Sequence, residues 1–176
     1  MRQLTFAGYL KSYVPSLADT HSQAMSRLAD RAQRRPRVLE PLLLMAAVTG
    51  RTDELARQMR DQPKLLAELR LLGELAEREE LETALASEDP RLRPEYTKAW
   101  RSFVTRRDAA HRDARLKRVA RDRVLEMETA KHVTRYRMAK DLGLNPGNLH
   151  AFLSQGNVSK LSLDHAYQLV DYLTAA

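Results

Sequence analysis

One segment of the chain, residues 134–156, has residue types and spacing that indicate a chemistry. Its apolar side chains recur with a helical period that is interrupted once, after Leu142. The polar side chains of Asn148 and His150 alternate with apolar residues in the second half of the segment. An amide and an imidazole at these places can donate and accept hydrogen bonds. The residue pattern matches two helices placed to project from the surface.

Arrangements typical of enzymes and of metal sites are not evident in the sequence. The chain has no glycine-rich phosphate loop and no Gly-x-Ser-x-Gly elbow. No histidine shows metal-ligand spacing with a nearby carboxylate; the five histidines are His21, His111, His132, His150 and His165. We therefore expect no enzymatic activity, no catalytic residue, no bound metal and no cofactor.

The interruption after Leu142 has the residues of a short turn between two helices. Gly143 can take the left-handed conformation that ends a helix without a Cβ penalty, and Leu144 then turns into the core. Asn145 can cap the next helix, and Pro146 fits its first position because its missing N–H is not needed there. The segment is thus predicted to fold as a helix, a three-residue turn and a second helix.

These residues resemble the helix-turn-helix of the lambda repressor/Cro-like (Xre-type) DNA-binding proteins. Counted from Arg135, the matching positions are a small residue at the fifth, glycine at the ninth, and large apolar residues at the tenth, fifteenth and eighteenth: Ala139, Gly143, Leu144, Leu149 and Phe152. The resemblance covers roughly residues 113–176, about a third of the chain. Residues 1–90 carry none of it.

The resemblance implies double-stranded DNA as the partner, with the second helix, residues 145–154, in the major groove. Asn148 would then bond adenine in bidentate fashion, and His150 would reach purine N7 or O6, or a phosphate. Gly147 and Pro146 complete the implied base contacts, although they depart from the polar residues that the family commonly places there. Gly147 would allow close backbone approach and Pro146 would touch a thymine methyl, so DNA shape would supply part of the specificity.

Phosphate contacts are implied for a second group of residues. Arg135 opens the first helix of the motif, where the family commonly places a side chain against the DNA backbone, and it could clamp a phosphate as a charged fork. The further phosphate candidates are Arg137, Lys140, Gln155, Asn157 and Lys160. For each of them an ordinary exposed side chain is the alternative.

Positive charge is concentrated just before this motif. Residues 91–123 hold 12 Lys/Arg against four Asp/Glu, whereas residues 1–90 carry a net charge of −1 and residues 124–176 a net charge of zero. A basic segment there favours a polyanionic partner through counterion release. Its basic residues include Arg106, Arg107, Arg112, Arg115, Lys117, Arg118, Arg121 and Arg123, for which a solvated helix is the alternative to DNA contact.

Composition predicts an all-α protein, because helix-favouring residues dominate and alternating β-branched runs are lacking. The chain has no cysteine, and it shows neither a signal peptide nor an apolar run long enough to span a bilayer. We therefore expect a cytoplasmic protein without membrane contact, associated with the nucleoid when bound to DNA.

Three domain segments are predicted. Residues 1–89 would form an N-terminal helical domain for oligomerisation or partner binding, residues 90–112 a basic helical linker, and residues 113–176 the helix-turn-helix domain. The boundary falls at Ser87–Pro94, where two prolines and a change in charge sign occur. Residues 95–131 contain no proline or glycine, so they form either one continuous helix or a helix that breaks in its middle.

Apolar patterning predicts the cores of these segments. The N-terminal helices are predicted at residues 4–14, at residues 22–33, in a buried central helix ending at Gly50, at residues 52–59 and at residues 64–86, with heptad-like spacing in the last. Glu77, Glu79, Glu80 and Glu82 then form a solvated acidic face. On the long helix, Tyr96, Trp100, Phe103 and Val104 are predicted to dock on the N-terminal domain, and Leu116, Val119, Val124 and Met127 to enter the C-terminal core.

The function predicted is a sequence-specific DNA-binding transcriptional regulator, a repressor or autoregulator that binds an inverted-repeat operator as a homodimer. The alternative is an antitoxin-type interaction protein whose N-terminal domain binds a partner protein while the C-terminal domain regulates its own operon. A third possibility is non-specific nucleic-acid binding through the arginine-rich helix.

Overall fold

The computed structural model describes residues 4–12, 27, 29–32 and 34–176. Most of the helix predicted at residues 22–33, and the end of the helix predicted at residues 4–14, lie outside the described residues. All regular structure in the described ranges is helical, which agrees with the predicted all-α class.

The α-helices are numbered in chain order: α1 (Phe6–Leu10), α2 (Pro36–Val48), α3 (Thr52–Gln58), α4 (Pro63–Glu77), α5 (Leu81–Ala86), α6 (Pro94–Lys131), α7 (Arg135–Asp141), α8 (Pro146–Gln155) and α9 (Leu163–Ala175). A 3₁₀ turn, Val158–Lys160, lies between α8 and α9. Contacts divide the chain into an N-terminal unit, residues 4–106, and a C-terminal unit, residues 107–176. The division falls within the segment that the sequence assigns to a linker.

Helix α2 lies at the centre of the N-terminal unit, as its sequence predicts. Residues 42–46 of this helix are completely buried. The helix begins on a proline at its first position and ends just before Gly50, which takes a left-handed conformation with φ +68°. The apolar centre of this helix is buried because α1, α3 and α4 all contact the helix.

The sequence predicts one continuous helical pattern across residues 64–86. This prediction is wrong, because the chain turns between α4 and α5. Glu79 adopts a left-handed conformation with φ +57°, and the Glu80 N–H donates to the Leu75 carbonyl at 2.9 Å. At about 100° per residue, a straight helix would carry Leu81 and Leu85 away from the face that holds Leu75. The turn returns both leucines to the same core.

Helix α6 is one helix of 38 residues, so the predicted alternative of a break in its middle is not observed. Its first turns contribute Tyr96, Trp100 and Phe103 to the N-terminal core, with Val104 packed against it, as predicted. The Tyr96 hydroxyl donates to Glu68 at 2.5 Å. Burial, together with this hydrogen bond, raises the pKa of Tyr96 well above its usual range.

The last turns of α6 contribute Val124 and Met127 to the C-terminal core, where the sequence places them. The same prediction is wrong for Val119 and Leu116, whose exposed fractions are 62% and 37%. Val119 lies five residues, or about 140°, around the helix from the fully buried Val124. The packed side of this part of α6 is instead completed by the small residues Ala114 and Ala120.

No helix in the described parts of the chain combines the length and the apolar character that a membrane-spanning segment requires.

The left-handed turn at Glu79 gives a first prediction. A side chain with a Cβ atom costs about 1 kcal/mol or more in this conformation, whereas glycine does not. Glu79→Gly is therefore expected to raise the free energy of unfolding by about 1 kcal/mol, measured by urea denaturation. Glu74→Gly, the same exchange at an exposed position inside α4, should instead lower it by about 1 kcal/mol. Equal losses for both variants would show that Glu79 is helical in solution.

Candidate nucleic-acid interface

Helix α7 begins at a side-chain cap and ends at the glycine that its sequence predicts. The Thr134 hydroxyl accepts a hydrogen bond from the Arg137 N–H at 3.3 Å and so caps the first turn. At the other end Gly143 is left-handed, with φ +64°. The N–H of Leu144 then donates to the Ala139 carbonyl at 2.8 Å, and the leucine side chain is buried. The turn therefore forms through the glycine, as expected.

Helix α8 is capped at its start by Asn145. The Asn145 Oδ1 accepts from the Asn148 N–H at 3.0 Å, and Pro146 occupies the first helical position. Asn145 is therefore a cap, as the sequence predicts. A Cβ atom added to Gly147 would stand 3.2 Å from this Oδ1 atom, tighter than most such contacts. Gly147 thus has a structural reason to lack a side chain, because it leaves room for the cap.

The four predicted base-contact residues, Pro146, Gly147, Asn148 and His150, are all exposed on α8. The other face of α8 is buried and consists of Leu149, Phe152 and Leu153. His150 also lies close to Ser154 one turn later, with 3.4 Å between its Nδ1 atom and the serine Oγ. The structure therefore groups the four candidates on one accessible stretch of a helix that is anchored in the core.

Arg135 is held by groups within the chain. Its Nε and Nη2 atoms donate to the two carboxylate oxygens of Glu128 at 2.7 and 3.1 Å, and its Nη1 donates to the Ser154 hydroxyl. This is the bidentate fork geometry that an arginine uses on a phosphate, applied here to an internal carboxylate. Arg135 thereby links the end of α6 and the start of α7 to α8.

The other predicted phosphate contacts are exposed. The Nε atom of Arg137 lies 3.5 Å from Asp141, an ion pair on the surface of α7. Asn157 uses its side chain to cap the 3₁₀ turn, since its Oδ1 accepts from the N–H of Ser159 at 3.2 Å. Lys140, Gln155 and Lys160 also lie on the surface. Among these candidates, Lys140 and Lys160 have no ion pair within the described residues.

Asp141 also accepts a hydrogen bond from the Tyr172 hydroxyl at 2.6 Å. This bond, with the negative charge of the carboxylate, raises the pKa of Tyr172. Asp141 thereby joins the end of α7 to α9, while its ion pair with Arg137 lies on the same carboxylate oxygen. The connection holds α7 at the end opposite Arg135.

Arg121 has a role that the sequence does not reveal. Its Nε donates to the carbonyls of Phe152 and Leu153 at 3.0 Å each, and its Nη2 donates to the Leu153 carbonyl at 2.8 Å. Carbonyls in the last turn of a helix lack partners within the helix, and cations there are favourable. Arg121 therefore secures the end of α8, from a position 31 residues earlier in the chain.

The basic run of α6 separates into residues with different surroundings. Arg106 lies over the Tyr9 ring, and Lys117 and Arg123 pair with Asp113 and Glu126. Arg112, Arg115 and Arg118 are exposed and make no ion pair within the described residues. A phosphate or another anion could therefore bind these three arginines without displacing an ion pair seen in the described residues.

Tyr136 is an exposed aromatic residue that the sequence does not single out. Its exposed fraction is 73%, the largest among the exposed large hydrophobic residues of the described chain. It follows Arg135 in the first turn of α7 and precedes Arg137. An aromatic ring between two arginines adds a stacking surface to this edge of the unit.

Comparison with protein-family models, with curated proteins and with solved structures finds no match to this chain.

The contacts of Arg121 give a second prediction. Arg121→Met removes hydrogen bonds from a charged donor to two helix-terminal carbonyls, so we expect a loss of about 1.5–3 kcal/mol in the free energy of unfolding. Hydrogen exchange should also become faster in the last turn of α8. Arg123→Met, which removes an exposed pair with Glu126, should cost no more than about 1 kcal/mol. Similar losses for the two variants would contradict the capping role.

Proposed function

We propose that this protein is a sequence-specific DNA-binding transcriptional regulator, a repressor or autoregulator, in which α7 and α8 act as a helix-turn-helix. The observation that carries the proposal is the form of α8. It is capped at Asn145, secured by Arg121 and seated through Leu149, yet its first residues are exposed. A helix held in this way can enter the major groove without losing its own position.

Base recognition is assigned to Asn148 and His150. The Asn148 backbone N–H is satisfied by the cap at Asn145, and its side chain is exposed. An asparagine amide matches the N6 donor and the N7 acceptor of adenine in the major groove. The His150 imidazole can donate to a purine N7 or O6, and the exposed backbone at Pro146 and Gly147 permits close approach to the groove.

Phosphate contacts are assigned to exposed side chains around this helix. Lys140 and Arg137 lie on α7, and Gln155, Asn157 and Lys160 follow the base-contact residues. Arg135 has a different assignment in this scheme, because its guanidinium is engaged by Glu128 and Ser154. It positions α8 against α7, and any contact with DNA would use the remaining exposed third of its side chain.

The affinity of one copy should be modest, because residues 124–176 carry no net charge. A second copy on an inverted repeat would double the number of contacts. Further positive charge comes from Arg112, Arg115 and Arg118, which are exposed and have no ion pair in the part of the chain that the structure describes. A homodimer on a symmetric operator is therefore part of the proposal.

The direct test is selection of binding sites from a random duplex library, followed by fluorescence anisotropy at moderate salt. An enriched inverted repeat that is bound at least about 1,000-fold more tightly than random duplex supports the proposal. Equal binding to all duplexes with a steep salt dependence would replace it with non-specific nucleic-acid binding.

A second candidate function concerns the N-terminal unit and the antitoxin-type alternative. A cavity of about 590 Å³ lies in this unit between α2, α3, α4 and α5. Carboxylates from three elements line it, including Asp53, Glu77 and Glu82, and its floor includes Leu81. Such a surface suits a basic partner protein. Co-purification with the product of a neighbouring gene would support this candidate, whereas operator binding of full strength without any partner would count against it.

The amide of Asn148 gives a third prediction. Asn148→Ala should reduce discrimination between the selected operator and its adenine-substituted variants by about 1–3 kcal/mol, because a bidentate base contact is lost. Anisotropy titrations on both duplexes measure this difference. Gln168→Ala, which removes an exposed amide from α9, serves as the matched control and should leave discrimination unchanged. A small and uniform loss on all duplexes would exclude Asn148 from base recognition.

The exposed cations of α7 give a fourth prediction. Lys140→Ala should weaken binding to every duplex to a similar extent and should lower the slope of log Kobs against log[salt] by about 1 for each bound copy. The slope is measured by anisotropy between low and moderate salt. Lys98→Ala, an exposed lysine of the N-terminal unit, is the control. An unchanged slope for Lys140→Ala would remove this residue from the phosphate contacts.

A further inference from the structure

The exposed side of α6 in the C-terminal unit has a regular pattern. Five residues recur at alternating spacings of three and four along the helix, which places them on one side of it: Arg112, Arg115, Val119, Asp122 and Glu126. All five are exposed. We call this set the α6 seam. The opposite side of the same turns packs into the core through Ala120, Val124 and Met127.

An apolar centre distinguishes the α6 seam from an ordinary solvated helix face. Val119 has an exposed fraction of 62%, and Leu116 beside it has 37%. These are two of the four exposed large hydrophobic residues in the described chain. Both lie within one turn of each other, in a stretch that is otherwise strongly charged. Covering them would remove apolar surface from water.

The charges on the α6 seam are ordered by sign along the helix. Both residues before Val119 are arginines, and both residues after it are carboxylates. Arg112 and Arg115 make no ion pair within the described residues, while Asp122 and Glu126 pair only with neighbouring arginines on the surface of their own helix. Such exposed pairs contribute little and can be exchanged for other partners.

The charges on the α6 seam of one copy complement those on the seam of a second copy that runs in the opposite direction. A two-fold axis passing beside Val119 places the Val119 side chains of two copies against each other. It also brings Arg115 towards Asp122 of the second copy, and Arg112 towards Glu126 of the second copy. Each of these pairs occurs twice because the axis repeats it. A parallel arrangement would instead bring arginine to arginine and carboxylate to carboxylate.

We propose that the α6 seam is the homodimer interface of this protein, with two copies of α6 packed antiparallel around Val119. The occupant of this surface is a second copy, because the positive and negative halves of the seam complement each other only in that arrangement. Arg118 and Arg123 flank the seam as further exposed cations, whereas two other basic residues of the stretch are engaged within the chain. Arg121 turns to the end of α8, and Lys117 is half-buried beside Asp113.

The inference deepens the proposed function and rests on it, because a symmetric operator requires a symmetric dimer. Self-association can nevertheless be measured without DNA. It also assigns dimerisation to the C-terminal unit, whereas the sequence analysis assigns residues 1–89 to either oligomerisation or partner binding. A failure to bind DNA would therefore leave the dimer intact, and a failure to dimerise through α6 would leave the DNA contacts of α8 intact.

The test uses sedimentation equilibrium of the full chain and of charge-exchange variants. Arg112→Glu and Glu126→Arg should each weaken the dimer about 10-fold or more, since two attractive pairs become repulsive. The double variant Arg112→Glu/Glu126→Arg restores opposite charges and should recover most of the lost affinity. Arg118→Glu makes the same charge change about a quarter turn away from the seam and is the matched control.

Several outcomes would overturn the inference. These are a wild-type chain that stays monomeric at several hundred micromolar, single variants that dimerise as the wild type does, and a double variant that remains as weak as the singles. Val119→Lys provides a check that does not depend on the charge pairs, because it places two like charges at the axis. It should also weaken the dimer by at least about 10-fold, with an unchanged circular dichroism spectrum.

Discussion

The anchoring of α8 is the constraint on which the rest of the C-terminal unit depends. One face of this helix is buried through Leu149, Phe152 and Leu153, and polar groups satisfy its two ends. The cap at its start is local, whereas the cap at its end comes from Arg121 on α6. A helix of ten residues is too short to be stable by itself in water. Its conformation therefore comes from these tertiary contacts, and its exposed residues stand in fixed places because of them.

Arg135 and Arg121 show how charged residues of this unit are used inside the structure. Each guanidinium joins two elements, Arg121 by reaching helix-terminal carbonyls and Arg135 by bridging Glu128 and Ser154. A planar fork with five donors suits such bridging better than a lysine ammonium does. Two of the positive charges near the candidate DNA surface therefore hold helices together. Fewer cations are left to contact phosphates.

Local signals of the sequence predict local structure well in this chain. Gly143 takes the left-handed conformation and Asn145 the capping role that their chemistry favours, because each needs only its near neighbours. The buried central helix α2 is also predictable, since an almost wholly apolar segment has few alternatives. The turn at Glu79 is not, because its residue type disfavours a left-handed conformation and the gain comes from returning Leu81 to a distant part of the core.

In the candidate interface, too, features set by neighbouring residues are predictable, whereas contacts between separate elements are not. Exposure of Asn148 and His150 follows from the helical period of the apolar residues around them. The engagement of Arg135 by Glu128 joins residues that are close in sequence but separated by the end of a helix, and that of Arg121 spans 31 residues. Neither pairing has a sequence signal, because an arginine on a predicted helix is compatible with solvent, a carboxylate or a phosphate.

Helix α6 contributes to the C-terminal core, to the anchoring of α8 and to the proposed dimer contact. Near its end, the side that carries Val124 packs into the C-terminal core, Arg121 secures the end of α8, and the α6 seam is exposed. In the proposed dimer, the position of α8 relative to the two-fold axis is then set through the direct contact of Arg121 on α6 with the end of α8. The spacing of two operator half-sites would follow from the side-chain packing around Val119 and Arg121. A change in the seam would therefore alter the preferred half-site spacing as well as the affinity.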